Sequence, residues 1–121
     1  MPPALTGILI YTKQMDAMAS FYQRHFGFVA TQDDGDRLIE LNSPVHGMII
    51  SLHPAAKSQK EGQVLVKLVF AVEDVSAFCE ASRRNGLEFG AIHKADGYEF
   101  ANAKDPAKNS ICVSSRAFRK G

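Results

Sequence analysis

The sequence predicts an α+β fold built from two βαβββ modules, and three observations carry that prediction. Two segments with helical spacing of apolar residues each follow a short β-rich run. Each of these segments is closed by a glycine, and each is followed by three short extended segments separated by turn residues. The first module is assigned to about residues 5–54 and the second to about 64–116, with a linker over about 55–63, all within one domain spanning 1–121.

Taken in order, Gly7–Thr12 (GILIYT) reads as the first strand. Met15–Phe26 reads as a helix because Met15, Met18, Phe21, Tyr22 and Phe26 recur at close to i, i+3, i+4, i+7. Gly27 should end it in the left-handed region, which costs a residue without Cβ little. FVATQ and RLIELN, joined through Asp33-Asp34-Gly35-Asp36, read as a hairpin, and MIISLH follows the loop Ser43–Gly47. Phe21, Tyr22, Phe26 and Phe28 are expected in the core. The lysine- and glycine-bearing stretch Pro54–Gln63 breaks the apolar pattern, and the order then repeats. VLVKLVFAV is the strongest strand, and VSAFCEASRRN puts Val75, Phe78, Cys79 and Ser82 on one helical face before Gly86. LEFGAIHK, YEFANAK and SICVSS supply three more strands. Gly27 and Gly86, Gly35 and Gly97, and Pro44 and Pro106 fall at equivalent places in the two modules.

Composition bounds the function. A chain of 121 residues with 45% apolar content can bury a core without metal or disulfides. Fourteen basic against 13 acidic residues leave a net charge of +1, which supplies no broad footprint for nucleic acid or an anionic membrane. Cys79 and Cys112 have neither zinc-knuckle nor disulfide-framework spacing, so free thiols in a reducing compartment are expected. MPPALTGILIYTK lacks a basic region ahead of an apolar stretch, and no apolar run approaches the roughly 20 residues of a membrane span. A cytoplasmic protein is expected.

The local motifs resemble those of the vicinal-oxygen-chelate superfamily, which includes glyoxalases, bleomycin-resistance proteins and extradiol dioxygenases. Phe21-Tyr22-Gln23-Arg24-His25-Phe26-Gly27-Phe28 is similar to the family's FY-x-x-x-LGF, with Phe26 in place of Leu. Asp105-Pro106-Ala107-Lys108-Asn109 is similar to its DP-x-G-N, with Lys108 in place of Gly. The resemblance covers about residues 6–115. It implies that each module curls four strands into half of a cupped mixed sheet, helices outside and a ligand cavity inside; family members commonly dimerise, so a homodimer is expected, with the cup enclosed by one chain or completed by exchanged edges.

In the family's metal-dependent members, ligands come from the first and last strand of each module. The resemblance carries those positions onto Gly7, Ser51, Lys67 and Cys112. Gly has no donor, Ser is a poor one, Lys adds positive charge and only Cys112 as thiolate would bind tightly, so no metal and no other cofactor is expected there. Strand alternation then projects Gly7, Leu9 and Tyr11 into the cup, with Ile49, Ser51 and His53 beside them. It does the same for Lys67, Val69 and Ala71 and for Ser110, Cys112 and Ser114.

Lys67 interrupts the most apolar strand. It reads either as a group that binds an anionic or carbonyl-bearing ligand, or acts as base or nucleophile, or as a lysine that pairs with Glu40 or Glu99 or reaches the rim. His53 and His93 can transfer protons near neutrality or stand as solvated strand-end residues. His25 and His46 are read as structural. Cys112 is a thiolate if Lys67 lies close, and otherwise an inert small apolar residue. Tyr11 and Tyr98 are set to stack on a ligand or to pack in the core.

The favoured reading is a metal-independent binding protein for a small anionic or neutral organic molecule, not polycationic bleomycin, given Lys67. The alternatives are a metal-independent isomerase or lyase acting on a carbonyl metabolite through Lys67 or His53, or a divergent metalloenzyme using His53, His93 and a carboxylate. Candidate catalytic residues are therefore Lys67 and His53. Candidate ligand-binding residues are Leu9, Tyr11, Ile49, Ser51, Val69, His93, Tyr98 and Cys112.

Overall fold

A computed structural model describes residues 6–119; the stretch Met1–Leu5, including the start assigned to the first module, lies outside them. The chain divides into two compact units, residues 1–61 and 62–121.

In the first unit, strand β1 (Gly7–Thr12), helix α1 (Met15–Phe26) and strands β2 (Val29–Thr31), β3 (Ile39–Asn42) and β4 (Ile49–Pro54) form one four-stranded sheet. Its order is β1-β4-β3-β2, with β1 parallel to β4 and the other pairs antiparallel. Alternation along the strands decides which face is covered. Ile39, Leu41, Ile50 and Leu52 are buried together with Met18, Ala19 and Tyr22 of α1. Each fully buried large side chain contributes about 1.5–3 kcal/mol. The opposite face carries Leu9 and Tyr11, which stay exposed.

The helix ends as its sequence requires. Gly27 adopts φ 71°, and its amide and that of Phe28 donate to the carbonyls of Gln23 and Tyr22. Tyr22 and Phe28 are buried as expected, whereas Phe21 and Phe26 are half-buried. Burial, and then the neighbouring Arg24 charge, hold the His25 imidazole below its ordinary pKa. The linker is tied down: Glu61 accepts from the Lys13 amide, from Gln14 Nε2 at 3.2 Å and from Thr12 Oγ1 at 3.4 Å. A carboxylate is thereby placed where α1 begins, the end of the helix dipole that favours negative charge.

In the second unit, strand β5 (Lys67–Ala71), helix α2 (Val75–Arg84) and strands β6 (His93–Lys94), β7 (Glu99–Lys104) and β8 (Ser110–Ser114) repeat the arrangement, followed by a 3₁₀ turn at Arg116–Phe118. The sheet order β5-β8-β7-β6, with β5 parallel to β8, is that of the first unit. Asp74 caps α2 by accepting from the Ala77 amide at 3.0 Å. Val75, Leu87, Phe89, Ala101, Ile111 and Val113 are buried. Among the described residues, no helix is long and apolar enough to cross a membrane.

Two strands are shorter than the sequence suggests. Val64–Val66 lie outside β5 because β8, its partner, begins at Ser110 opposite Lys67; before Ser110 the chain is in the loop after β7 and offers no ladder. Leu65 is left fully exposed. In LEFGAIHK only His93 and Lys94 join the ladder, while Gly90 makes a single amide bond of 2.9 Å to the Asn102 carbonyl.

Lys108, which stands where the related motif has glycine, adopts φ 67°. A Cβ built on Gly62 would lie 2.9 Å from the Lys108 Cβ, so the two segments of backbone meet closely there. Lys108→Gly removes the left-handed strain. It is expected to raise unfolding stability by about 0.5–1 kcal/mol, read from the urea midpoint. No change or a loss would show the strain to be relieved elsewhere.

Candidate functional site

Each sheet leaves one face without a helix, and strand register fixes what that face carries. In the first unit Gly7 pairs with Ile49, Leu9 with Ser51 and Tyr11 with His53, so the expected residues share one face. Glu40 stands opposite Ser51 on the other side of β4 and extends the Leu9–Ser51 row, a residue that the sequence reading placed only as a partner for Lys67. The Tyr11 and His53 rings lie 5.1 Å apart at 57°. His53 Nδ1 is 2.8 Å from the Pro54 carbonyl. A carbonyl only accepts, so Nδ1 carries a proton in this contact, and in the neutral ring the lone pair is the one on Nε2.

In the second unit Lys67 pairs with Ser110, Val69 with Cys112 and Ala71 with Ser114, again as strand alternation requires. Strand β7 continues these rows with Lys104, Asn102 and Phe100, and β6 adds His93 opposite Phe100. The sequence reading missed Lys104, Asn102, Ser110 as a polar partner, and Phe100. Alternation carried one strand further, through YEFANAK, would have found the β7 residues.

Of the alternatives open to Lys67, pairing with a carboxylate is the one not formed among the described residues. Its Nζ donates to Asn102 Oδ1 at 2.8 Å, and among the described residues neither Glu40 nor Glu99 forms an ion pair with it. Glu99 is directed by alternation to the other face of β7. Lys104 Nζ donates to Ser110 Oγ at 2.9 Å. Cys112 is only 5% exposed, and burial pushes its thiol pKa up despite the opposing charge of Lys67. It is therefore held as a thiol rather than as the reactive thiolate. Val69 remains exposed.

His93 stacks on Phe100 with ring centroids 5.0 Å apart. Tyr98 lies 6.3 Å from Phe100, and the guanidinium groups of Arg116 and Arg119 stand 5.1 and 5.9 Å from its ring centroid. Part of its π surface is thus already engaged by cations. His53 lies in the first unit and His93 in the second. Among the described residues, no three of His, Cys, Asp and Glu are grouped so that they could hold a metal ion.

Repeated βαβββ units with parallel first and last strands define a protein of the vicinal-oxygen-chelate type. The chain belongs to the Glyoxalase/Bleomycin resistance protein/Dioxygenase superfamily, whose model matches residues 4–113. Solved structures share the fold at low identity. UcmS2 is 20% identical with a TM-score of 0.79, over 95% of this chain and 99% of that one. TnmS3, an antibiotic binding protein from Streptomyces sp. CB03234, is 17% identical with a TM-score of 0.77, over 93% and 96%. Lactoylglutathione lyase from Agrobacterium tumefaciens is 19% identical with a TM-score of 0.70, over 93% of each chain. No curated protein matches by sequence.

Proposed function

We propose that this chain binds a small anionic or neutral organic molecule on the open faces of its sheets, without a metal. The observation that carries the proposal is the makeup of those faces. Exposed apolar groups, Leu9, Tyr11 and Val69, stand in register with polar heads on Ser51, His53 and Lys67. An apolar wall with few polar groups suits a small organic guest. In this reading Ile49, His93, Tyr98 and Cys112 complete the lining. The likeness to TnmS3, an antibiotic binding protein, agrees with it, as the likeness to lactoylglutathione lyase agrees with an enzyme.

The residues carried over as metal ligands do not fit a divalent ion. Gly7 has no side chain, Lys67 presents an ammonium, Ser51 a neutral hydroxyl and Cys112 a buried protonated thiol. The proposal extends to a homodimer in the cytoplasm, where Cys79 and Cys112 would stay reduced.

The test uses protein purified without a metal-affinity tag and treated with chelator. Elemental analysis is expected to find no stoichiometric divalent ion, and 2-naphthamide and 2-naphthoate are expected to raise the melting temperature equally well before and after chelation. About one tightly held ion per chain, with the naphthyl probes losing their effect on its removal, would overturn the proposal.

A second reading, proton transfer on a carbonyl metabolite, is favoured by His53, whose Nδ1 is held by the Pro54 carbonyl and whose ring stands beside Tyr11 on the open face. Lys67 is the weaker base candidate, because its ammonium is held by Asn102. Deuterium wash-in at the methyl group of pyruvate, lost in His53→Ala, would establish this reading; wash-in no faster than in buffer would dismiss it for that probe.

A further inference from the structure

We propose that the open face of the second sheet carries an oxyanion site made by Lys67, Lys104, Ser110 and Asn102, which takes the acid group of an aromatic carboxylate. The proposal deepens the small-molecule reading above and rests on it.

Hydrogen-bond donors on this face are in excess of acceptors. Lys67 on β5 and Lys104 on β7 flank Ser110 of β8 in a single row across the sheet. Neighbouring strands lie about 4.8 Å apart, so the two Cα atoms are roughly 10 Å apart and both side chains can reach over β8. They do so: Lys67 Nζ crosses β8 to Asn102 Oδ1 at 2.8 Å, and Lys104 Nζ reaches Ser110 Oγ at 2.9 Å. Each contact uses an acceptor of a neutral side chain. What remains available is two ammonium groups with further N–H bonds, the Asn102 amide NH₂ and the Ser110 hydroxyl hydrogen.

Such a surface donates and hardly accepts, and its complement is a group that only accepts, an oxyanion. The charges are not met from within. Among the described residues neither lysine forms an ion pair, and alternation puts no Asp or Glu on this face of β5, β6, β7 or β8. The loop joining β7 to β8 adds one cation, Lys108, and one carboxylate, Asp105, whose oxygens are taken by the amides of Ala107 and Asn109 and by the Asn109 side chain.

The rest of the guest is indicated by the next row along β7. Phe100 lies two residues from Asn102, about 6.6 Å along the strand. It is stacked with His93 at 5.0 Å, with the buried Cys112 between Asn102 and Val69 as the floor of the intervening row. Acid at one end and ring at the other, separated by about 7 Å, is the span of a one- or two-ring aromatic acid.

The experiment compares 2-naphthoate with its neutral isostere 2-naphthamide by calorimetric titration at low and high salt. The expected result is a preference for naphthoate of about tenfold or more, weakened by salt. The preference should collapse toward unity in Lys67→Met and in Lys104→Met, and persist in Lys67→Arg, which keeps the charge. Equal affinity for both probes in the unaltered protein, or a preference untouched in both Met variants, would overturn the oxyanion site while leaving the small-molecule reading intact. Binding of neither probe would overturn both.

Discussion

Asp105→Ala is expected to lower unfolding stability by about 3 kcal/mol, because one carboxylate organises the whole loop between β7 and β8. Asp105 is 4% exposed. Its Oδ1 accepts from the amides of Ala107 and Asn109, both at 2.9 Å, and the Asn109 side-chain amide reaches Oδ2 at 2.9 Å. The backbone closes the same turn, with the Asp105 amide donating to the Asn109 carbonyl at 3.0 Å. Alanine strips the acceptor from two backbone donors and one side-chain donor in a buried setting, where each orphaned group costs about 1–3 kcal/mol. Water entering at the loop offsets part of that loss, which is why the lower half of the sum is expected. Asp105→Asn keeps one oxygen acceptor and should lose about half as much. Urea unfolding of the three proteins checks the order; a loss below about 1 kcal/mol in the alanine variant would mean that backbone bonds alone hold the turn. Ser110 and Lys104 sit at the two ends of this loop, so the same substitution should also weaken naphthoate binding.

That loop shows where the sequence was legible. Its Asp-Pro start and Asn end mark a turn by composition alone, and its place before the last strand supports the module repeat. The open faces were equally legible in the first and last strand of each module, because period-two alternation needs only one correct residue to order all the others. β7 was harder. In YEFANAK the core-facing positions are the small Ala101 and Ala103, so the alternation lacks the contrast of IISL, and nothing in it singles out Asn102 and Lys104. The partner of Lys67 was missed with it: a carboxylate was one of the alternatives open to this lysine, whereas the residue within reach across β8 is an amide. Val64–Val66 failed differently. Their apolar character reports strand propensity, but a ladder needs a neighbour and β8 has not yet begun.

Gly7→Ala carries the second large effect and bears directly on the chemistry open to this chain. A Cβ at Gly7 would lie 2.9 Å from the Ile49 carbonyl oxygen, a backbone atom of the paired strand. Nothing flexible can give way there, so β1 and β4 must separate locally, at a cost of about 2 kcal/mol in the manner of other overpacked positions. Leu9→Ala on the same face should cost less than half as much, since Leu9 is 44% exposed and its removal opens no closed cavity. The measurement is the difference in urea midpoints between the two variants. A Gly7 variant as stable as the starting protein would show that the strands yield freely. If the expected loss is found, the consequence reaches beyond stability. Gly7 is the position to which the family resemblance assigns a first-strand metal donor, and any replacement, histidine included, brings the same Cβ against the same carbonyl. A donor could then be placed there only by moving the backbone of β1 as well, so what opposes a ligand at this one position is how these two strands approach each other and not only the residue type.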